Sequence, residues 1–464
     1  MNQMQIKDRE HELLVKANRP AQDAMRLHPF YRGKIQTMLK CPVRNLDDLA
    51  IWYTPGVAAP CKAIADEPTQ VYQHTNKGNT IAIVTDGSRV LGLGNIGPAA
   101  GLPVMEGKAL LFKYLGGVDA VPICLATQDP DEIIETVQRL EPAFGGINLE
   151  DIAQPKCFRI LDVLRSSMGI PVWHDDQQGS ATVLLAALTN ALLLVDKSIG
   201  EIRIAMVGMG AANVATYRLL GQYGVEPAQI VACDSRGILN RRRQDIEEKQ
   251  DRLQDKWRIC VESNPDQVEG GIAEALRYAD VCIAFSQSGP DVIKPAWIHG
   301  MADDAIVFAC ANPIPEIWPW LATEAGAAIV GTGRSDFPNQ VNNSLGFPGI
   351  FRGVLDVRAR TITDGMALAA AEALAQYARE LGIDPLSILP QMNDWEVFVR
   401  EAVATGIKAQ ETGVASSELT AHELHERANA TIRTARSSAE LLMNYGMIPK
   451  ADTGAYRREI DEFA

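Results

Sequence analysis

Between residues 203 and 332 the chain repeats one alternation: RIAMVG, QIVACDS, VCIAFS, AIVFACANP and AAIVGTG are short β-rich runs separated by helical stretches. Five strand-like segments in that arrangement predict a doubly wound α/β fold, whose ligands sit at the carboxyl ends of the strands. The first unit, IRIAMVGMGAANVATYRLL, reads as a strand, a tight turn and a helix. Gly208 and Gly210 permit the turn and the close approach of a pyrophosphate to the helix N-terminus. Asn213 stands where such a fingerprint carries its third glycine or alanine, so the packing part of the signal is weakened and the phosphate-binding part kept. Asp234 ends the next strand, where an acid accepts hydrogen bonds from an adenosine ribose. The expectation is a Rossmann-type dinucleotide domain. Asp234 would repel a 2′-phosphate, whereas Arg236, just past Ser235, or the Arg241–Arg243 run would attract one. The balance favours NAD over NADP.

Residues 80–175 alternate as well. TIAIVTDG, VDAVPICL and GGINLEDI read as strands, and ALLFKYL, PDEIIETVQRLE and CFRILDVLRSSMG as helices. The run ATVLLAALTNALLLV reads as a buried helix over about 179–195. Residues 1–40 read as helical and solvated. The predicted organisation is an N-terminal α/β domain over 1–174, completed by 343–416, a dinucleotide domain over 175–342, and a helical extension over 417–464. In that extension Leu424, Ala428, Ile432, Ala435, Ala439 and Leu442 fall at helical spacing, a stripe for packing on the body or on a second subunit.

A net charge of −14 argues against nucleic acid, because phosphate binding needs a basic face. No apolar run reaches the roughly 20 residues of a membrane span. The charged N-terminus lacks a signal core, and the eight cysteines stand singly without metal spacing, so a reduced cytoplasm is expected.

Two acidic pairs mark the chemistry: Glu150–Asp151 in INLEDI and Asp175–Asp176 in PVWHDDQQGSAT. Adjacent carboxylates repel one another, but a hard divalent cation wants oxygen ligands and brings the compensating charge. Lys108 sits in the apolar, glycine-rich run GLPVMEGKALLF. Beside such a cation its pKa is expected to fall towards neutrality, making it a general base. These features together read as a metal- and dinucleotide-dependent enzyme acting on a small acid.

YTPGVAAPC from Tyr53, TDGSRVLGLGNIGPAAGLPVMEGKALLF, LEDI, HDDQQGSA, ANPIPE and PNQVNNSLGFPGIFRGVLDVRA follow one another from about Arg32 to Ala415. In this order they resemble the malic enzymes, oxidative decarboxylases of malate that use NAD or NADP. The resemblance implies that Lys108 takes the proton of the substrate C2 hydroxyl and that Tyr53 protonates C3 of the enolate. It implies Glu150, Asp151 and Asp176 as ligands of Mg²⁺ or Mn²⁺, with Asp175 holding Lys108. Asn312 and Asn343 would contact substrate or nicotinamide, and Arg89 a substrate carboxylate. It further implies a homodimer or higher homo-oligomer acting on malate, oxaloacetate and pyruvate, in which Tyr53 can be supplied by the partner chain.

Taken singly, each motif has a plainer use: Tyr53 packing at a turn, Glu150–Asp151 at a helix start, Asp175 as an N-cap. Jointly those uses require unrelated coincidences. The departures from compact bacterial members are Arg89, Gln178 and Ser180, and Asn213 in the fingerprint. The expected reaction is oxidation and decarboxylation of (S)-malate to pyruvate and CO₂. The alternatives are a malolactic or oxaloacetate-decarboxylating activity at the same site, and a catalytically silent nucleotide-sensing subunit.

Overall fold

In the computed structural model, which describes residues 3–451, two sheets, one parallel and one parallel except for its last strand, lie in series along the chain. The first holds β1 (Thr80–Thr85), β2 (Asp119–Cys124), β3 (Gly146–Leu149) and β4 (Val172–His174) in the order β2-β1-β3-β4. All its pairings are parallel. As a central strand covered on both faces, β1 has no polar side to present, which explains its unbroken apolar run: Ile81 to Val84 are fully buried. The helix Pro98–Gly116 connects β1 to β2 and carries Lys108 on its buried face.

The second sheet contains β5 (Ile204–Val207), β6 (Ile230–Asp234), β7 (Gly237–Ile238), β8 (Val281–Ala284), β9 (Ile306–Ala309) and β10 (Ile329–Thr332). Their order, β10-β9-β8-β5-β6-β7, is that of a doubly wound dinucleotide fold, with the topological switch between β5 and β8. The five predicted strands are present. The sixth, β7, was not foreseen, because it is two residues long and antiparallel: the chain doubles back through Ser235–Arg236 and pairs Asp234 with Gly237.

The helix Phe347–Asp356 packs on Pro98–Gly116, with the Phe112 ring 4.4 Å from Phe347 and 5.1 Å from Phe351. Pairs of this kind add roughly 0.5–1.5 kcal/mol each beyond the area they bury. Helices Asp364–Leu381 and Glu396–Glu411 stack behind it, and the buried helix Ser180–Leu194 lies between Asp364–Leu381 and Ala211–Tyr223. At the N-terminus the helix ends at Tyr31, short of residue 40, and the chain is irregular until Asn45 caps Leu46–Trp52. The C-terminal stripe forms one face of Ala421–Asn444: Leu424, Ala428, Ile432 and Ala435 are buried, and Ala439 and Leu442 half-buried. That helix rests on Glu396–Glu411 and on Pro98–Gly116; residues 452–464 of the extension lie outside the described residues. Among the described residues no helix is long and apolar enough to cross a membrane.

Candidate active site

A cavity of about 790 Å³ opens between the two sheets, at the carboxyl ends of β1 and β3 on one side and of β5, β8 and β9 on the other. The first half contributes Ser88, Arg89, Lys108, Glu150 and Asp151, and the second Gly210, Ser286 and Asn312. Asp176, Asn342 and Asn343 complete the lining where the halves meet.

Lys108 is buried, with Nζ 2.5 Å from Asp175 Oδ2, 2.9 Å from Glu150 Oε1 and 4.4 Å above the Phe347 ring. Asp175 is wholly buried behind it and also accepts from the Trp173 indole at 3.1 Å. Residues Asp175–Gly179 form a single wide turn of π-helical geometry, a deformation common at functional sites. Gly179 is required by that turn: a Cβ there would lie 1.9 Å from Asp175 Oδ1, so any side chain would displace the carboxylate that holds Lys108. His174, buried with neither ring nitrogen bonded, is pushed down to about 4 by burial and is therefore neutral.

The carboxylates are crowded. Burial, joined by repulsion from their neighbours, raises Glu150 well above the usual carboxylate range and Asp151 to about 8, and burial also raises Asp175 and Asp176. Asp151 is held at φ +55°, a strained conformation for a residue with a side chain, and its Oδ2 is buried without a hydrogen-bond partner. Four acids around one ammonium leave an excess of negative charge that further positive charge would relieve. The orphaned Asp151 oxygen and the all-oxygen donor set fit a hard divalent cation. Among the described residues, however, no three acidic, His or Cys side chains already converge as a formed metal site, since Glu150 is turned onto Lys108 and Asp176 accepts from the Asp151 N–H at 2.8 Å.

The expected near-neutral lysine is not produced by these residues alone. Burial would lower the Lys108 pKa, but Asp175, Glu150 and Asp176 outweigh it and hold the proton on. Charge that neutralises Glu150 and Asp176 would remove much of that hold. Arg89 reaches the cavity from a turn tied down at several points: its own N–H donates to Asp151 O at 2.9 Å, and Ser88 bonds both Asp86 and the Ala153 N–H.

On the dinucleotide side, Gly208 has φ +84°, and a Cβ there would meet Ser286 at 2.6 Å. Gly210 begins the helix Ala211–Tyr223, whose first residues line the cavity. Asn213 is fully buried; its amide nitrogen faces the carbonyls of Gly208 at 2.7 Å, Val207 at 3.1 Å and Ile283 at 3.3 Å. It therefore stitches β5 to β8 by hydrogen bonds, where a small residue would pack, and is not directed at a ligand. Asp234 and Ser235 are at the end of β6, outside the cavity lining. The Asp234 carboxylate is held by Arg243 at 3.1 and 3.2 Å, by Lys256 at 3.3 Å and by the Arg236 N–H at 2.9 Å. Burial opposes its ionisation, but these donors keep its pKa below the ordinary value. The Arg236 side chain is exposed and paired with Asp245.

Two features were missed in the sequence. Glu316, the last residue of ANPIPE, is fully buried and accepts from the Ser286 N–H and hydroxyl and from the Ala311 N–H, tying together the loops after β8 and β9. A buried acid in an apolar stretch is the signal that could have found it. The second is the Arg243 clamp on Asp234. Tyr53 is the one proposed catalytic residue that does not join the others: it is 74% exposed and is not part of the cavity wall.

Comparison with known proteins agrees with this layout. Residues 32–165 match the family model of the malic enzyme N-terminal domain, and residues 177–410 that of the malic enzyme NAD binding domain. The chain is 48% identical over 407 residues to the bifunctional malic/malolactic enzyme of Bacillus subtilis (strain 168), covering 88% of this chain and 97% of that protein. It is also 48% identical over 386 residues to the NAD-dependent malic enzyme of Geobacillus stearothermophilus, covering 83% and 78%. Other relatives are NADP-dependent malic enzymes. The crystal structure of Entamoeba histolytica malic enzyme superposes with a TM-score of 0.93 at 48% identity, covering 96% of this chain and 92% of that one. With both halves matched in order and the acidic, lysine-centred cleft between them, this chain belongs to the malic enzyme family.

Proposed function

We propose that the protein oxidises (S)-malate and decarboxylates the product to pyruvate, reducing a nicotinamide dinucleotide. The observation that carries this reading is the contact of Lys108 with Asp175 and Glu150 in a cavity that Asn312 and Ser286 close from the dinucleotide side. Lys108 stands to take the C2 hydroxyl proton, with Asp175 fixing the direction of its Nζ. Arg89, exposed at the cavity wall, suits a substrate carboxylate by a two-pronged contact. Asn312 and Asn343 have amides available to substrate or nicotinamide. Glu150, Asp151 and Asp176 would hold Mg²⁺ or Mn²⁺, which when bound would polarise the C2 oxygen and stabilise the enolate left by CO₂.

NAD is the favoured dinucleotide. The Arg243 guanidinium is spent on Asp234, Asp245 and the Gly237 carbonyl, leaving it no free edge for a 2′-phosphate. Asp234 stays ionised and able to accept from ribose hydroxyls. Steady-state assays with malate and each cofactor test both points. Reduced nicotinamide should accumulate, faster with NAD; malate loss without it would favour a malolactic activity, the second activity in the name of the Bacillus relative.

The working unit on this reading is a homodimer or larger homo-oligomer in the cytoplasm. Tyr53 lies in a run of exposed apolar side chains that includes Met38, Leu39, Leu46, Ile51 and Trp52. On this reading these side chains are covered by another chain. There Tyr53 would reach a neighbouring cavity and supply the acid for C3.

A further inference from the structure

The loop between β1 and the helix Pro98–Gly116 contains four glycines, and the last three, at 92, 94 and 97, are not equivalent. Gly94 and Gly97 have φ of +79° and +82°, with nothing within 4 Å of where a Cβ would stand. They serve the shape of the turn. Gly92 is the reverse: its φ lies outside the left-handed region, so an alanine is free to adopt its backbone. A Cβ on Gly92 would nevertheless lie 2.5 Å from the Asn312 carbonyl oxygen, 2.7 Å from Ser288 Cβ and 3.3 Å from Pro313 Cδ. Every one of those atoms belongs to the dinucleotide half.

The turn is built to project. Val90 N–H bonds the Gly94 carbonyl at 2.9 Å, Leu93 N–H bonds the Val90 carbonyl at 3.0 Å, and Leu91 takes the strained φ of +47°. Its flanks, Arg89, Leu91, Gly94 and Asn95, line the cavity. The receiving surface cannot yield: Ser288 Oγ donates to the Ile314 carbonyl at 3.1 Å and accepts its N–H at 3.0 Å, and the nearest atom is backbone.

We propose that Gly92 is a positioning residue for the closed cleft. The Leu91–Leu93 turn is a latch that seats on Ser288 and Asn312, and only glycine lets the halves come close enough to hold Arg89 and Lys108 against Asn312. The catalytic part of this inference rests on the malate reading given above. The closure part does not.

The test uses the full chain with Gly92→Ala and Gly92→Val. Three quantities are read: kcat with malate, NADH affinity by fluorescence titration without substrate, and the decrease in radius of gyration by X-ray scattering on adding NADH, Mn²⁺ and oxalate. The expected result is unchanged melting temperature and NADH affinity, loss of compaction, and a kcat reduced on the order of 10²-fold, as for misplacement of about 1 Å, more for valine than alanine. Wild-type kcat in both variants overturns the latch, as does a loss of kcat matched by equal losses of NADH affinity and melting temperature. If the wild type fails to oxidise malate, the functional reading falls and scattering alone decides. Compaction in the wild type but not in Gly92→Val upholds the latch; compaction in both, or in neither, overturns it.

Discussion

Lys108 Nζ lies 2.5 Å from Asp175 Oδ2, and the carboxylate keeps that position because residue 179 is glycine. One ammonium, one buried acid and one missing side chain thus fix the direction from which a substrate proton can be taken. Lys108→Ala should cut malate oxidation by about 10²–10⁴-fold while leaving metal and dinucleotide affinity nearly intact, because it removes a base and not a ligand. Near-normal turnover would remove Lys108 from the mechanism. Binding titrations on the same preparation separate this from loss of fold.

Asp176→Asn should weaken the divalent cation, since a neutral amide offers a hard ion less charge than a carboxylate. The apparent Mn²⁺ affinity should fall by at least the roughly 10- to 100-fold that losing an outer-shell partner costs. Activity should partly return at high Mn²⁺. Wild-type turnover that survives exhaustive chelation would show that the acidic pairs serve another purpose.

Tyr53→Phe should divide the half-reactions. Formation of pyruvate from oxaloacetate needs an acid at C3 and should be lost more severely than reduction of pyruvate, which does not. Mixing Tyr53→Phe with Lys108→Ala under subunit exchange should restore part of the activity if Tyr53 acts across an interface, as its exposure suggests. Exchange that restores nothing would place both residues in one subunit's site.

Glu316 should make stability depend on pH in a defined direction. Burial raises its carboxyl to about 7, with the N–H groups of Ala311 and Ser286 opposing the shift. Because the folded value exceeds the ordinary 4.5, the protonated form contributes stability that is fully present below 4.5 and is lost as pH rises through about 7. The melting temperature of the wild type should therefore fall more steeply across that window than that of Glu316→Gln. Parallel curves would mean that Glu316 ionises alike in the folded and unfolded chain.

Much of the architecture was legible because its signals are local. Apolar runs at regular spacing gave β5, β6, β8, β9 and β10, and the turn glycines marked where the dinucleotide strand ends. What stayed hidden depends on partners distant in sequence. Asn213 looked like damage to the fingerprint because one of its three carbonyl partners, that of Ile283, belongs to a strand seventy positions on. Asp234 looked like a free acid because Arg243 is brought back to it only by the two-residue β7. The acidic pairs come together around Lys108 only in the fold, and without a cation to share them they raise its pKa; the expected fall was tied to a bound divalent cation. Tyr53 stood in a recognisable motif, and only the fold shows that it lies outside the cavity wall.

The fate of the C2 hydrogen tests the central claim most directly. Malate deuterated at C2, supplied with NAD and Mn²⁺, should deliver its deuterium to the nicotinamide ring, with pyruvate and CO₂ released in equal amounts. Mass spectrometry of the dinucleotide and the acid products reads the label. Deuterium recovered in lactate with the dinucleotide unreduced, or retained in unconsumed malate, would contradict the account.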